Sequence, residues 1–258
     1  MTEGRPALRP ELAPPWLHPL LDGVRGVDAA ELLRHRMHPP ADGGRRASVL
    51  VLFAEGPGRG PDVLLMERAS TLRNHAGQVA FPGGGAEPDD TNAVATALRE
   101  AQEEVGVEPA GVVPLATLPD LYVPVSRFVV TPVLAHWAQP TAVHAVDPGE
   151  TAAVVRVPLA DLADPDNRLR VRHPSGLTGP GFMVAGLLVW GFHRGAYCPR
   201  CWIGGGMGAF VGHHPGGGPR RSVVDGTGRP AGGRRIMSTG PRGAGADRAG
   251  STVEWAVL

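Results

Sequence analysis

The stretch that decides the fold is Leu64–Val107, LLMERASTLRNHAGQVAFPGGGAEPDDTNAVATALREAQEEVGV. It starts as an apolar strand, passes through three consecutive glycines and ends in an acidic helix. At about 100° per residue, the carboxylates of Glu100, Glu103 and Glu104 fall within an arc of roughly 100° on one helix face. Apolar residues recur at helical spacing on an adjoining face: Val94, Ala97, Leu98, Ala101 and Val105. We therefore expect a helix with one side packed on a sheet and one acidic side.

The acidic face needs either full solvation or a neutralising partner, because like charges one turn apart destabilise a helix by a few tenths of a kcal/mol. A hard divalent cation is suited to the task, since Mg²⁺ prefers carboxylate, water and phosphate oxygens. Glu100 and Glu104 are one turn apart, so we expect them to bind the metal together. Arg99 lies one turn before Glu103 and can orient its carboxylate. A solvated helix face is the alternative interpretation.

We expect the glycines to form a turn before the helix, which should begin near Asp90 or Thr91. Glycine allows positive φ and close approach of the backbone to a ligand. The glycine stretch and the segment REAQEEVGV, residues 99–107, together resemble the signature of the Nudix hydrolase family. The spacing from Gly84 to Arg99 is one residue longer than usual in that signature, and the acid expected between them is Asp90.

The longer spacing is similar to that of the coenzyme A diphosphatase branch, and so is an upstream block. The matching positions of that block are Leu64, Leu65, Arg68, Arg73, His75, Gly77, Gln78, Val79, Phe81, Pro82, Gly83 and Gly84. Met66 and Ala69 depart from it. A downstream stretch also resembles the branch, at Tyr122, Ser126, Phe128, Thr131 and Pro132. The resemblance runs from about Ser48 to Phe192.

This resemblance implies a Nudix-type α/β/α sandwich of the α/β class with a mixed β-sheet. It also implies metal-dependent hydrolysis of the pyrophosphate bond of coenzyme A or its derivatives, which releases 3′,5′-ADP and 4′-phosphopantetheine. Water is the nucleophile and Mg²⁺ or Mn²⁺ the cofactor, bound by Glu100 and Glu104. Two acids are candidates for the general base: Glu103, oriented by Arg99, or Glu150 in the DPGETAAV stretch. Glu150 can instead be an additional metal ligand, and a capping or solvated role is its other alternative.

Substrate contacts are expected from both sides of the glycine stretch. Backbone N–H groups of Gly83 and Gly84 can hold phosphate oxygens. Arg68 and Arg73 can bind phosphate bidentately, or be surface arginines without a role. His75 is a candidate substrate contact, and a structural hydrogen bond is its alternative.

Two other functions compete with this one. The first is a Nudix hydrolase for another nucleoside diphosphate conjugate, such as ADP-ribose or a nucleotide sugar, because the same helix serves all of them. The second is a protein that binds nucleotide without turnover. The upstream block favours coenzyme A, and the intact acids favour catalysis.

The resemblance implies a small-molecule nucleotide as the partner, and the composition indicates neither nucleic acid nor a membrane. The 258 residues carry 25 basic and 25 acidic side chains, so no global field favours nucleic acid or a membrane. The two cysteines form one CxxC, which excludes a disulfide framework. No 18-residue apolar run occurs, and we expect a soluble cytoplasmic enzyme.

Three regions are expected along the chain. Residues 1–47 are a Pro/Arg-rich lead-in, irregular except for one helix from Asp28 to His35, and residues 48–192 form the Nudix domain. The strands predicted within that domain are Ser48–Phe53, Val63–Met66, Val112–Leu118, Arg127–Trp137, Val154–Val157, Arg170–Arg172 and Phe182–Val184. A short helical turn follows Val157.

Residues 193–258 are a Gly/Arg-rich tail, which we expect to be disordered or frame-shifted. If codons 193–196 are written with GC-rich codons, reading them one base later gives Thr-Ala-Gly, where the resembling family continues into a leucine-rich helix. Cys198 and Cys201 with the adjacent His213 and His214 do not match the ligand spacing of a zinc finger, so zinc is disfavoured.

Overall fold

The structure of the protein is a computed structural model. It describes residues 6–25, 43–56, 58, 60–72, 77–123, 126–172, 178–190 and 223–225. The predicted helix Asp28–His35, the predicted substrate residues Arg73 and His75, and all of the predicted tail except residues 223–225 lie outside the described residues.

A mixed sheet forms the centre of the described part of the chain. Its eight strands are β1 Arg45–Gly56, β2 Gly60–Arg68, β3 Val79–Ala80, β4 Gly83–Gly85, β5 Val112–Thr117, β6 Leu121–Val123, β7 Phe128–Trp137 and β8 Thr151–Pro158. β1 runs parallel to β7 and antiparallel to β2 and β4. The remaining pairs, of β2 with β3 and β8 and of β7 with β5 and β6, are antiparallel. The predicted mixed sheet and its predicted strands are confirmed, with ends moved by a few residues.

The central strand β1 is apolar throughout its middle because both faces of the sheet are covered. Leu50 and Leu52 point to one layer, whereas Val51 and Phe53 point to the other. All four side chains are buried. This strand therefore requires an uninterrupted run of apolar residues and not an alternation of apolar and polar residues.

On the first face lies the acidic helix α2, Ala93–Val105. Its residues Val94, Ala97, Ala101 and Val105 are buried against the sheet, as their spacing predicts. The helix begins at Ala93, later than expected, because the side chain of Asn92 caps it by accepting a hydrogen bond from Ala95 N at 2.9 Å.

The second face is covered by a helix α1, His18–Arg25, a short helix α3, Leu159–Ala163, and a second sheet. The second sheet contains β9 Arg168–Arg172, β10 Thr178–Val184, β11 Leu187–Trp190 and β12 Val223–Asp225. The predicted hairpin is the antiparallel pair β9 and β10. β12 belongs to the predicted tail and pairs in parallel with β9.

Helix α1 differs from the irregular lead-in expected for this part of the chain. Leu20 and Leu21 of α1, together with Leu17 before it, are buried in the core on the second face. Eight residues that include a proline and a glycine carry little helical propensity of their own. Tertiary burial stabilises this helix, which explains why local sequence signals did not predict it. None of the helices among the described residues is long and apolar enough to span a membrane.

Candidate active site

The three glycines form the short strand β4, which pairs antiparallel with Ala47–Val49 of β1. This is a correction to the expected turn, and none of the three has a positive φ. Gly83 and Gly84 are required because a side chain at either position would not fit. A Cβ on Gly84 would lie 2.5 Å from Glu100 Oε1, and a Cβ on Gly83 would lie 2.3 Å from the carbonyl oxygen of Ser48. The acidic face of α2 therefore rests directly on the backbone of β4.

Glu104 is the most enclosed acid of the helix face, with a side chain only 10% exposed. Its Oε2 accepts a hydrogen bond from Gly83 N at 2.8 Å, and its Oε1 lies 3.7 Å from Arg68 Nη1. Burial raises the pKa of Glu104 to about 7, an effect that the Gly83 hydrogen bond opposes and the charge of Glu100 strengthens. The carboxylate is thus held in place but lacks full charge compensation.

The Gly83 hydrogen bond changes one sequence-based expectation. Its N–H group was predicted to hold a substrate phosphate, yet it donates to Glu104 instead. In this arrangement Gly83 positions an acid of the helix and does not present its N–H to a ligand. Gly84 contributes by close approach, because only a residue without a Cβ leaves room for Glu100.

Arg99 organises the acids around it. It binds Asp90 through two hydrogen bonds, Nε to Oδ1 at 3.2 Å and Nη2 to Oδ2 at 3.0 Å. It also donates to Glu100 Oε1 at 3.1 Å, to Glu103 Oε2 at 2.9 Å and to the carbonyl oxygen of Gly85 at 2.8 Å. The hydrogen bonds from Arg99 are the main reason that the pKa of Asp90 falls to about 2.

The sequence did not predict the role of Asp90 in this network. It was assigned only as the acid expected between the glycines and the arginine. The structure shows that Asp90 is a bidentate partner of Arg99, and that Arg99 then reaches both Glu100 and Glu103. Asp90 therefore fixes the position of the arginine that orders the helix face.

The two candidate bases occupy different environments. The Glu103 side chain is 58% exposed and bound to Arg99. Glu150 is exposed in the turn just before β8, where its carbonyl oxygen accepts a hydrogen bond from Ala69 N at 2.8 Å. The charge of Glu150 is one of those that raise the pKa of Glu104, so the fold brings this distant acid towards the helix face. Its loop is attached to α2 by a hydrogen bond from Val146 N to the carbonyl oxygen of Glu104 at 3.1 Å.

The residues present fit a magnesium-type site with few protein ligands. Within the described part of the chain, no group of three or more His, Cys, Asp or Glu side chains converges on one point. Glu100 and Glu104 nevertheless present two largely buried carboxylates above β4. Burial is also the main cause that raises the pKa of Glu100, so a cation would compensate charge that is costly without it. One or two carboxylates, completed by water and substrate phosphate, are what Mg²⁺ usually binds.

The mixed sheet and the acidic helix α2, which follows the glycine strand β4, are the features that the sequence resemblance predicted. Residues 44–175 match the NUDIX domain family, and the chain belongs to this family. It is a Nudix hydrolase, of the class that acts on nucleoside diphosphate derivatives and generally needs a divalent cation. The predicted Nudix fold is thereby confirmed.

Its relatives include proteins called uncharacterized Nudix hydrolase NudL. The NudL of Cronobacter sakazakii is 44% identical over 150 residues, which are 58% of this chain and 74% of that protein. The NudL of Klebsiella aerogenes is 45% identical over 104 residues, or 40% of this chain and 84% of that protein. A Nudix hydrolase structure from M. smegmatis, RenU, is 21% identical, with a TM-score of 0.43 and coverage of 67% of this chain and 91% of that chain.

Proposed function

We propose that this Nudix hydrolase cleaves the pyrophosphate bond of coenzyme A or its derivatives to give 3′,5′-ADP and 4′-phosphopantetheine. One observation carries the proposal. Arg68 belongs to the upstream block that resembles the coenzyme A diphosphatase branch, and its Nη1 lies 3.7 Å from Oε1 of Glu104. Arg68 thus links the block that resembles this branch to the acidic helix, which supports the proposal.

Glu100 and Glu104 would hold the divalent cation, Mg²⁺ or Mn²⁺. When bound, such a cation masks the negative charge of the pyrophosphate and lowers the pKa of a water ligand. Asp90 and Arg99 keep the helix face in order, and the N–H of Gly83 keeps Glu104 directed at β4. These contacts would hold the acids in one arrangement, and groups that are held in place need little reorganisation during a reaction.

Glu150 is the better placed of the two candidate bases. The carboxylate of Glu103 is bound to Arg99, whereas that of Glu150 has no hydrogen-bond or ion-pair partner among the residues that the structure describes. Glu150 also lies near enough to Glu104 to affect its pKa. A free carboxylate beside the site can accept the proton of the attacking water.

Arg68 would contact a substrate phosphate, since its guanidinium group is partly exposed next to Glu104. Arg73 and His75 follow Arg68 in the same block and remain sequence-based candidates for further substrate contacts. The proposed partner is thus a small nucleotide conjugate. Because coenzyme A is used inside cells, we also propose that the protein acts in the cytoplasm.

A substrate panel tests this function. The purified full-length chain is incubated with Mg²⁺ or Mn²⁺ and with coenzyme A, ADP-ribose or a nucleotide sugar at matched concentrations, and products are resolved by ion-pair chromatography. We expect the highest kcat/KM for coenzyme A, with 3′,5′-ADP as a product. Glu104→Gln is the control for contaminating activity. A clear preference for ADP-ribose or a nucleotide sugar would replace the proposed substrate, and turnover no greater than that of the control would refute hydrolysis.

A further inference from the structure

Three polar side chains lie side by side on the sheet face that carries α2. Thr151 of β8 is the partner of Arg68 of β2, at a β-bulge where the strand register shifts between Glu67 and Arg68. Gln78 lies on the other side of Arg68 from Thr151, and its carbonyl oxygen accepts a hydrogen bond from the backbone N–H of Arg68 at 2.9 Å. Residues directly opposite each other on neighbouring strands direct their side chains to the same face. We call Gln78, Arg68 and Thr151 the polar row.

The sheet pattern identifies the face. Met66 of β2 is buried in the apolar cluster beneath α2, and side chains two residues apart on a strand point to the same face. Arg68 therefore points towards α2, in agreement with its approach to Glu104. Gln78 does the same, because the next residue, Val79, is buried in the core on the opposite face.

Each member of the polar row has a buried polar atom that lacks a hydrogen-bond partner among the described residues. These atoms are Arg68 Nε, Gln78 Oε1 and Thr151 Oγ1. Thr151 is only 1% exposed, so bulk solvent does not reach its hydroxyl group. Buried polar atoms are almost always hydrogen-bonded, and three exceptions in adjacent residues require an explanation. Their chemistry is complementary, because Arg68 is a donor and the two oxygens are acceptors.

The present contact of Arg68 explains why these atoms are not paired with each other. Its guanidinium is directed to Glu104, but the distance of 3.7 Å is too long for a hydrogen bond. Glu104 already accepts a good hydrogen bond from Gly83. Arg68 is thus held towards Glu104 mainly by charge. A divalent cation on Glu104 would remove that attraction and repel the guanidinium.

We propose that Gln78 and Thr151 are positioning residues for Arg68, and that they accept its N–H groups when a divalent cation takes the carboxylate of Glu104. This inference rests on the metal role of Glu104 in the proposed function. In the absence of the cation, Arg68 partly neutralises Glu104. In its presence, the polar row holds the guanidinium beside the cation, where it can receive a substrate phosphate.

The experiment measures Mn²⁺ binding to the full-length protein by electron paramagnetic resonance titration, without substrate. Thr151→Val keeps the shape of the side chain but removes its hydroxyl, and Thr151→Ser restores the hydroxyl. The loss of one hydrogen bond to a charged group predicts Mn²⁺ binding that is weaker by roughly tenfold in Thr151→Val, with recovery in Thr151→Ser. Gln78→Met tests the other acceptor in the same way and serves if Thr151→Val does not fold.

A double-mutant cycle separates positioning from a merely structural role. In the Arg68→Met background, Thr151→Val should leave Mn²⁺ affinity unchanged, because the guanidinium that it positions is absent. The same loss of affinity in both backgrounds would mean that Thr151 acts on the fold, and would overturn the inference.

Two further outcomes distinguish this inference from the proposed function. If the wild-type protein binds Mn²⁺ and Glu104→Gln does not, the metal site stands; unchanged affinity in both Thr151→Val and Gln78→Met would then refute only the positioning role. If wild type and Glu104→Gln bind Mn²⁺ equally, the metal role of Glu104 fails, and the inference fails with it.

Discussion

Replacing Gly84 by Ala tests whether the acidic helix depends on the open backbone of β4. The added Cβ would lie 2.5 Å from Glu100 Oε1 and 2.6 Å from its Cδ and Oε2. An ordinary contact begins at 3.4 Å, so the carboxylate must move by about 1 Å (3.4 minus 2.5). Displacement of a catalytic group by about 1 Å can cost on the order of a hundredfold in rate. We therefore expect kcat to fall about a hundredfold and Mn²⁺ affinity to fall with it.

The neighbouring glycines are matched controls in the same strand. A Cβ on Gly85 would first meet Phe128 at 3.7 Å, an ordinary contact, so Gly85→Ala should behave like the wild type. A Cβ on Gly83 would lie 2.3 Å from the backbone oxygen of Ser48, which cannot move aside, so Gly83→Ala should lower the thermal unfolding midpoint. Gly84→Ala should keep the thermal unfolding midpoint of the wild type, because the Glu100 carboxylate that it contacts is at the end of a flexible side chain.

The assays are steady-state turnover of the best substrate of the panel, Mn²⁺ titration and thermal unfolding of all three variants. Wild-type kcat and Mn²⁺ affinity in Gly84→Ala would refute the reasoning, since they would show that Glu100 can leave its place above β4 without consequence. Equal losses in Gly84→Ala and Gly85→Ala would refute it as well, because steric contact with Glu100 would then not be the cause.

Four other substitutions test single acids. Glu104→Gln removes a metal-binding charge and should lower turnover at least about a hundredfold; near-normal turnover would exclude Glu104 as a ligand. Glu150→Gln should change the pH profile of kcat while Mn²⁺ affinity is retained, and a change confined to the matched variant Glu103→Gln would assign the base to Glu103. Asp90→Asn tests stability. Arg99 lowers the pKa of Asp90 from 3.8 to about 2, so the ionised carboxylate of Asp90 stabilises the fold above about pH 4. This stabilisation is lost as the pH falls through 2. After allowance for solvent screening, urea unfolding at pH 7 should show a loss of about 1 to 2 kcal/mol in Asp90→Asn, and equal stability of the two proteins at that pH would contradict the assignment.

Much of the fold could be predicted because its signals are local. The buried face of α2 follows from the 3.6-residue period of Val94, Ala97 and Ala101, and the apolar run of β1 indicates a strand covered on both sides. Helix α1 was missed because its stability comes from burial of Leu20 and Leu21 and not from propensity. The glycines were predicted to form a turn, because the sequence does not show whether a glycine is needed for a positive φ or for the absence of a side chain.

The sequence by itself determined that three acids share one helix face, since residue spacing along a helix sets direction without reference to the rest of the chain. Only the tertiary structure decided what meets that face. Gly83 binds Glu104, Asp90 anchors Arg99, and the polar row forms across separate strands. These contacts depend on strand register, which is set by burial and pairing between residues far apart in the chain. A one-residue slip between β2 and β8 would turn Thr151 to the opposite face relative to Arg68, although no local pattern in the sequence would change.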